Sequence, residues 1–135
     1  MNVDIYKKIR DQVDAISTQI VSRYKIGDKI KIGGQIVHEP ISVSLSMLLG
    51  DNSAKNIDKI VMMYTIDDGI SGIIAVATDK EYENIQANDI VIVNGIYVAS
   101  KLKDSEKKHN LAVRDDINLP IVIIESIEVL EDNDA

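Results

Sequence analysis

Two tyrosines and one run of cations are the side chains in this 135-residue chain whose types and spacing could do chemistry. Tyr64 stands in the strand-like run Ile60-Val61-Met62-Met63-Tyr64-Thr65-Ile66, and Tyr97 stands in Ile96-Tyr97-Val98. An exposed ring at either place could stack on a nucleobase for about 1–3 kcal/mol. Lys101, Lys103, Lys107, Lys108, His109 and Arg114 share one polar stretch, where positive groups could pair with phosphates. Lys29, Lys31 and Lys59 extend the same face if the strand phase is right. Each feature also has a plainer reading. Tyr64 is in phase with Ile60, Met62 and Ile66, and Tyr97 with Val91 and Val93, which would place both rings in a core. Asp104, Glu106, Asp115 and Asp116 nearly cancel the cations, as in an ordinary solvated loop.

Other chemistries lack their residues. With no cysteine there is no thiolate ligand, thiol nucleophile or disulfide. His38 and His109 are far apart and have no ligand motif around them. Ser42, Ser44 and Ser46 alternate along a strand-like stretch without a glycine elbow or a paired base. Gly33-Gly34 lacks the later glycines and the lysine of a phosphate-cradling loop. Asp67-Asp68 and Asp115-Asp116 fit turn geometry and solvation better than a cation site. The expectation is a non-enzymatic protein with no metal and no cofactor.

The net charge of −7 argues against coating nucleic acid through bulk electrostatics. Distribution matters more than the sum: residues 1–26 carry +2 and 99–116 carry +1, whereas 51–98 and 117–135 each carry −5. No apolar run approaches the roughly 20 residues of a membrane span. The first eight residues alternate charge with apolar groups and do not read as a secretion signal. A soluble, cytoplasmic protein is expected.

The elements that must position these residues read in order. Ile5, Ile9, Val13, Ile16 and Ile20 recur at spacings of four, four, three and four, which predicts one amphipathic helix over residues 3–23, stopped by Gly27. A strand follows at 29–38, bent at Gly33-Gly34. Residues 41–46 either continue it or form an arm of their own. After a turn-rich loop around 50–56, strands at 60–66 and 70–78 flank Asp67-Asp68-Gly69, the best hairpin in the chain. A short helix is expected over 79–86, then a strand at 90–98 in which Asn94-Gly95 is either a turn or a bulge. Residues 99–116 read as an exposed loop and 119–130 as the last strand. The organisation is a helical segment (1–25), one β domain (26–130) and an acidic tail (131–135).

Five strands with a helix between the third and fourth is the arrangement of the oligonucleotide/oligosaccharide-binding (OB) type, here an all-β five-stranded OB-fold barrel behind an N-terminal amphipathic helix. The chain resembles OB domains of the replication protein A and archaeal single-stranded-DNA-binding group over about residues 26–130. The resemblance rests on Ile26-Gly27-Asp28-Lys29-Ile30-Lys31-Ile32-Gly33-Gly34-Gln35-Ile36-Val37, on Asp68-Gly69-Ile70-Ser71-Gly72-Ile73-Ile74-Ala75, and on Ala87-Asn88-Asp89-Ile90-Val91-Ile92-Val93-Asn94-Gly95-Ile96-Tyr97-Val98. It implies binding of single-stranded nucleic acid, DNA ahead of RNA, within a replication or repair assembly. Lys59, Tyr64, Tyr97, Lys101, Lys103, Lys107, Lys108 and Arg114 are the candidate contacts. The competing reading is a structural OB subunit that holds protein partners and binds no nucleic acid. The absence of Phe and Trp, and the carboxylates of Asp67 and Asp68 on the hairpin turn, favour it.

Strands at 60–66, 70–78 and 90–98 are apolar at successive positions, not alternate ones, so both faces need cover. The candidates are the N-terminal stripe (Ile5, Ile9, Val13, Ile16, Ile20), docked on its own barrel or in a subunit interface, and another chain. Together the two apolar surfaces exceed what one helix covers, which favours an oligomer.

Overall fold

The computed structural model describes residues 2–49, 59–78, 82, 84–102 and 118–131. The single helix expected over 3–23 is two helices, α1 (Val3–Ile9) and α2 (Ser17–Arg23). Asn2 caps α1, its Oδ1 accepting the N–H groups of Asp4 and Ile5. The break after Ile9 has a tertiary cause. The Asp14 N–H donates to the Lys31 carbonyl at 2.8 Å, and the Asp14 carboxylate accepts the Lys31 N–H at 3.0 Å. The Ser17 N–H donates to the buried carboxylate of Asp68 at 2.5 Å. Asp11, Val13, Asp14 and Ile16 are middling helix formers, so a modest gain from these remote partners is enough to interrupt the helix. Gln19 then restarts it by accepting the Ile16 N–H through its side chain.

The strands are β1 (Lys29–Ile36), β2 (Ile41–Ser44), β3 (Ile60–Asp67), β4 (Gly72–Ala77), β5 (Ile90–Leu102) and β6 (Asn118–Glu131), with a short helix α3 (Leu45–Leu49) after β2. They form one six-stranded sheet in the order β1-β5-β6-β4-β3-β2. Gln35 and Ile36 of β1 also pair with Asp67 and Ile66 of β3, so hydrogen bonding returns to its start as a ring, with β2 attached outside β3. Every contact is antiparallel except β4 with β6, which is parallel through Ile74↔Ile121, Ala75↔Val122 and Val76↔Ile123.

β1 can change partners because of its glycines. Gly34 sits at φ +152, where a Cβ would run into the Asp67 carbonyl, and a Cβ on Gly33 would lie 2.7 Å from Ile92 Cδ1. The strand ends at Ile36, two residues before the expected boundary. Residues 41–44 are a separate edge strand, and β3 and β4 form the expected hairpin, though Asp67 still pairs with Gly72, so the turn is Asp68–Ser71 and β4 begins two residues later than expected. Asn94-Gly95 is a bulge inside one long strand, with register shifting there from Ser126 to Ile124. Residues 99–102, expected in a loop, prolong β5 and pair with 118–121. Of the helix expected over 79–86, residues 82 and 84–86 are described and are not helical; Ile85 N–H donates to the Tyr82 carbonyl in a turn. The rest of that stretch, the loop around 50–56, residues 103–117 and the tail beyond Glu131 lie outside the described residues. No helix among those described is long and apolar enough to cross a membrane.

The main core fills the ring, with Ile30, Ile32, Tyr64, Ile66, Ile73, Ala75, Val91, Val93 and Val122 inside and Ile20 of α2 among them. Two smaller clusters lie apart from it. Ile9 of α1 packs with Val13, Ile90 and Ile92. Leu48 of α3 packs with Val61, Ile74, Val76 and Ile121. Part of the surplus apolar surface is thus met within the chain, Ile90 and Ile92 by Ile9 of α1, and the cluster of Val61, Ile74 and Val76 by Leu48 of α3.

Candidate interaction surface

Placing the expected nucleic-acid contacts divides them. Tyr64 is 0% exposed, in the main core, with its hydroxyl accepting the Tyr82 N–H at 3.1 Å. Tyr97 is 4% exposed, and its hydroxyl is 2.6 Å from Ser100 Oγ. Neither ring has a face open to a base, so the stacking role expected of Tyr64 and Tyr97 is corrected: strand phase puts both among the inward-facing isoleucines and valines. Lys59 is exposed just before β3, its carbonyl accepting the Leu45 N–H. Lys101 is on β5, where its backbone pairs with Leu119. Lys103, Lys107, Lys108 and Arg114, with His109, lie outside the described residues. Lys29 is exposed beside Glu125, 3.9 Å away.

The remaining polar candidates have local structural work. Asp67 accepts the Gly69 N–H, and Asp68 accepts the N–H groups of Ile70, Ser71 and Ser17, so the adjacent carboxylates build the turn and anchor α2. His38 Nδ1 is 2.9 Å from the Glu39 carbonyl in an exposed segment. Ser44 Oγ accepts the Met47 N–H, which makes it the N-cap of α3. No group of three or more metal-ligating side chains occurs among the described residues.

The interface stripe is used inside the chain. Ile5, Ile9 and Ile20 are buried, while Val13 and Ile16 are half-buried because the break turns them sideways. Burial of each isoleucine contributes about 1.5–3 kcal/mol, enough to hold two short helices that would be unstable alone.

What stays open is apolar. On the outer side of β2 and along α3, Ile41, Met47 (72% exposed) and Leu49 remain in solvent, whereas Ile60 (64% exposed) is at the start of β3 in phase with Met62 and Tyr64 and belongs to the other face. The first three border the cluster built on Val61, Ile74, Val76 and Ile121. Residues 45–49 are the part of this surface missed in the sequence; the signal was Ser44 as a cap ahead of Leu45, Leu48 and Leu49 at helical spacing. A separate open cleft of about 410 Å³ lies where β4 and β6 part beyond Val76↔Ile123, lined by Thr78, Tyr82, Ile96, Ile124 and Glu125 among others. Among the described residues its one charged lining side chain is Glu125, the neighbour of Lys29. The chain matches no protein-family model and no curated protein sequence.

Proposed function

We propose that the chain is a non-enzymatic module of the OB type that works by protein contact through the outer surface of β2, β3 and α3. The strand ring β1-β3-β4-β6-β5, with its single parallel contact, supports the OB reading, since such barrels are five-stranded Greek keys. The observation that carries the protein-contact reading is the character of the β3–β4 outer face. OB domains hold oligonucleotides over the corresponding two strands. Here that face is built from Val61, Met63, Ile74 and Val76 and is partly roofed by Leu48, with exposed Ile41 and Met47 at its border. Val61, Ile74 and Val76 are themselves buried, so the hydrophobic area open to a partner is that of Ile41, Met47 and Leu49 around them, with no aromatic platform.

The second reading, a single-stranded nucleic-acid binder in a replication or repair assembly, keeps one specific support. Lys103, Lys107, Lys108 and Arg114, following Lys101 near the end of β5, fall between β5 and β6, the connection that OB domains place over their ligand. Anisotropy titration with labelled single-stranded DNA and RNA at low and moderate salt separates the two. Protein contact predicts no saturable binding at moderate salt. Saturable, salt-sensitive binding that weakens when Lys101, Lys103, Lys107 and Lys108 are replaced together by Ala would establish the second reading instead.

A further inference from the structure

Residues 3–23 contain no glycine and no proline, and their isoleucine and valine stripe keeps helical spacing straight through residues 10–16, where the structure breaks the helix. The break is held from outside. Asp14 is bonded twice to Lys31, and the N–H groups of Asp11, Val13 and Ala15 lie outside any helical ladder. On either side of it the helices differ in how they are attached. α2 delivers Ile20 to the main core, whereas α1 docks through the satellite cluster of Ile9 with Ile90 and Ile92, the Asn2 N–H to Gly69 carbonyl bond at 2.7 Å, and the exposed Lys8–Glu131 pair at 2.6 Å. Gly69, at φ +97, leaves room for that docking, because a Cβ there would lie 2.6 Å from the Asn2 carbonyl oxygen. α1 is therefore a separable unit on a hinge that has no glycine or proline to forbid a helix and whose apolar stripe keeps helical spacing.

We propose that the groove over Ile90 and Ile92 also accepts α1 of a second copy of this chain, by reciprocal exchange. In the exchanged state residues 10–16 join α1 and α2 into one helix over 3–23, about 30 Å long, which carries α1 away from its own sheet and onto the partner's. Each groove receives the same α1 side chains it holds in the monomer, Ile9 above all, so the exchange gives up only what the hinge itself contributes: the Val13 packing, the Asp14–Lys31 bonds and the Ser17–Asp68 bond. Reciprocity closes the assembly as a two-fold dimer. The monomer retains the Asp14–Lys31 bonds and the Ser17–Asp68 bond, and the dimer gains the helical bonds of the hinge. The balance is thus set at Asp14 and its neighbours.

The test is light scattering on the full chain after unfolding and refolding at low and at high concentration, with hydrogen exchange read on residues 10–16 in each peak. The expected result is a peak of twice the monomer mass that grows with refolding concentration, in which the amides of Asp11, Val13 and Ala15 are protected. Asp14→Ala should raise its share several-fold, and Asp11→Gly with Gln12→Gly, two exposed positions where glycine disfavours a helical hinge, should remove it. A monomer mass at every concentration in both the parent chain and Asp14→Ala overturns the proposal. So does a dimer whose hinge amides exchange freely and whose share ignores the glycine substitutions. Should Asp14→Ala fail to fold, the parent chain and the glycine variant decide the matter alone.

Discussion

The carboxylate of Asp68 and the backbone N–H of Ser17 meet at 2.5 Å across 51 positions of sequence, and neither residue is exposed to solvent beyond a trace. The same carboxylate accepts two more N–H groups, from Ile70 and Ser71, in the β3–β4 turn. One buried side chain therefore fixes a hairpin and the start of α2 together.

Asp68→Ala should lower stability in urea by about 2–4 kcal/mol, because three backbone donors lose a charged acceptor and are left poorly solvated. Asp68→Asn should recover only part of that, since an amide that serves the turn presents N–H, not oxygen, to Ser17. Equal stability of the wild type and Asp68→Ala would show that Ser17 and the turn find other acceptors.

Gly34 and Gly27 provide a matched pair. Both have positive φ, but a Cβ on Gly34 collides with the Asp67 carbonyl whereas one on Gly27 meets nothing within 4 Å. Gly27→Ala should cost about 1–2 kcal/mol from backbone strain alone. Gly34→Ala should cost distinctly more, since β1 and β3 must also separate where the ring closes. Thermal melts of the two variants read the difference directly.

Tyr64→Phe removes the acceptor of the Tyr82 N–H and should cost about 1–2 kcal/mol. Tyr64→Ala should cost about 3–5 kcal/mol by emptying the centre of the core. If any nucleic-acid binding is measured, Tyr64→Phe should leave it unchanged.

The roof over β3 and β4 makes a contrast between adjacent residues. Leu48→Ala should destabilise by about 2–5 kcal/mol, while Met47→Glu, one position earlier and in solvent, should stay within about 0.5 kcal/mol of the parent. A loss at Met47 as large as at Leu48 would mean that α3 packs with a different face.

Much of this was legible in the residues. The hairpin of β3 and β4, the bend at Gly33-Gly34 and the strands around Ile90 and Ile121 follow from alternation and turn chemistry, which are local. The doubled apolar faces of β3, β4 and β5 correctly demanded cover. The broken helix was not legible, because Asp14 and Ser17 are redirected by Lys31 and Asp68, partners 17 and 51 residues away. For Tyr64 the phase with Met62 and Ile66 was visible, but a strand apolar on both faces does not say which face is inside. That choice is made by the ring, which no single strand encodes.

The position of β6 has a consequence for how the chain is made. It lies between β4 and β5, pairing with both. As the ribosome delivers the chain from its amino end, β1 to β5 emerge with the facing edges of β4 and β5 still vacant, and they stay vacant until residues 118–131 arrive. Closure must then be a late step, joining strands far apart in sequence, of the kind that slows folding and leaves edges exposed meanwhile. A nascent chain halted before residue 118 should accordingly be a chaperone client, and the completed chain should not.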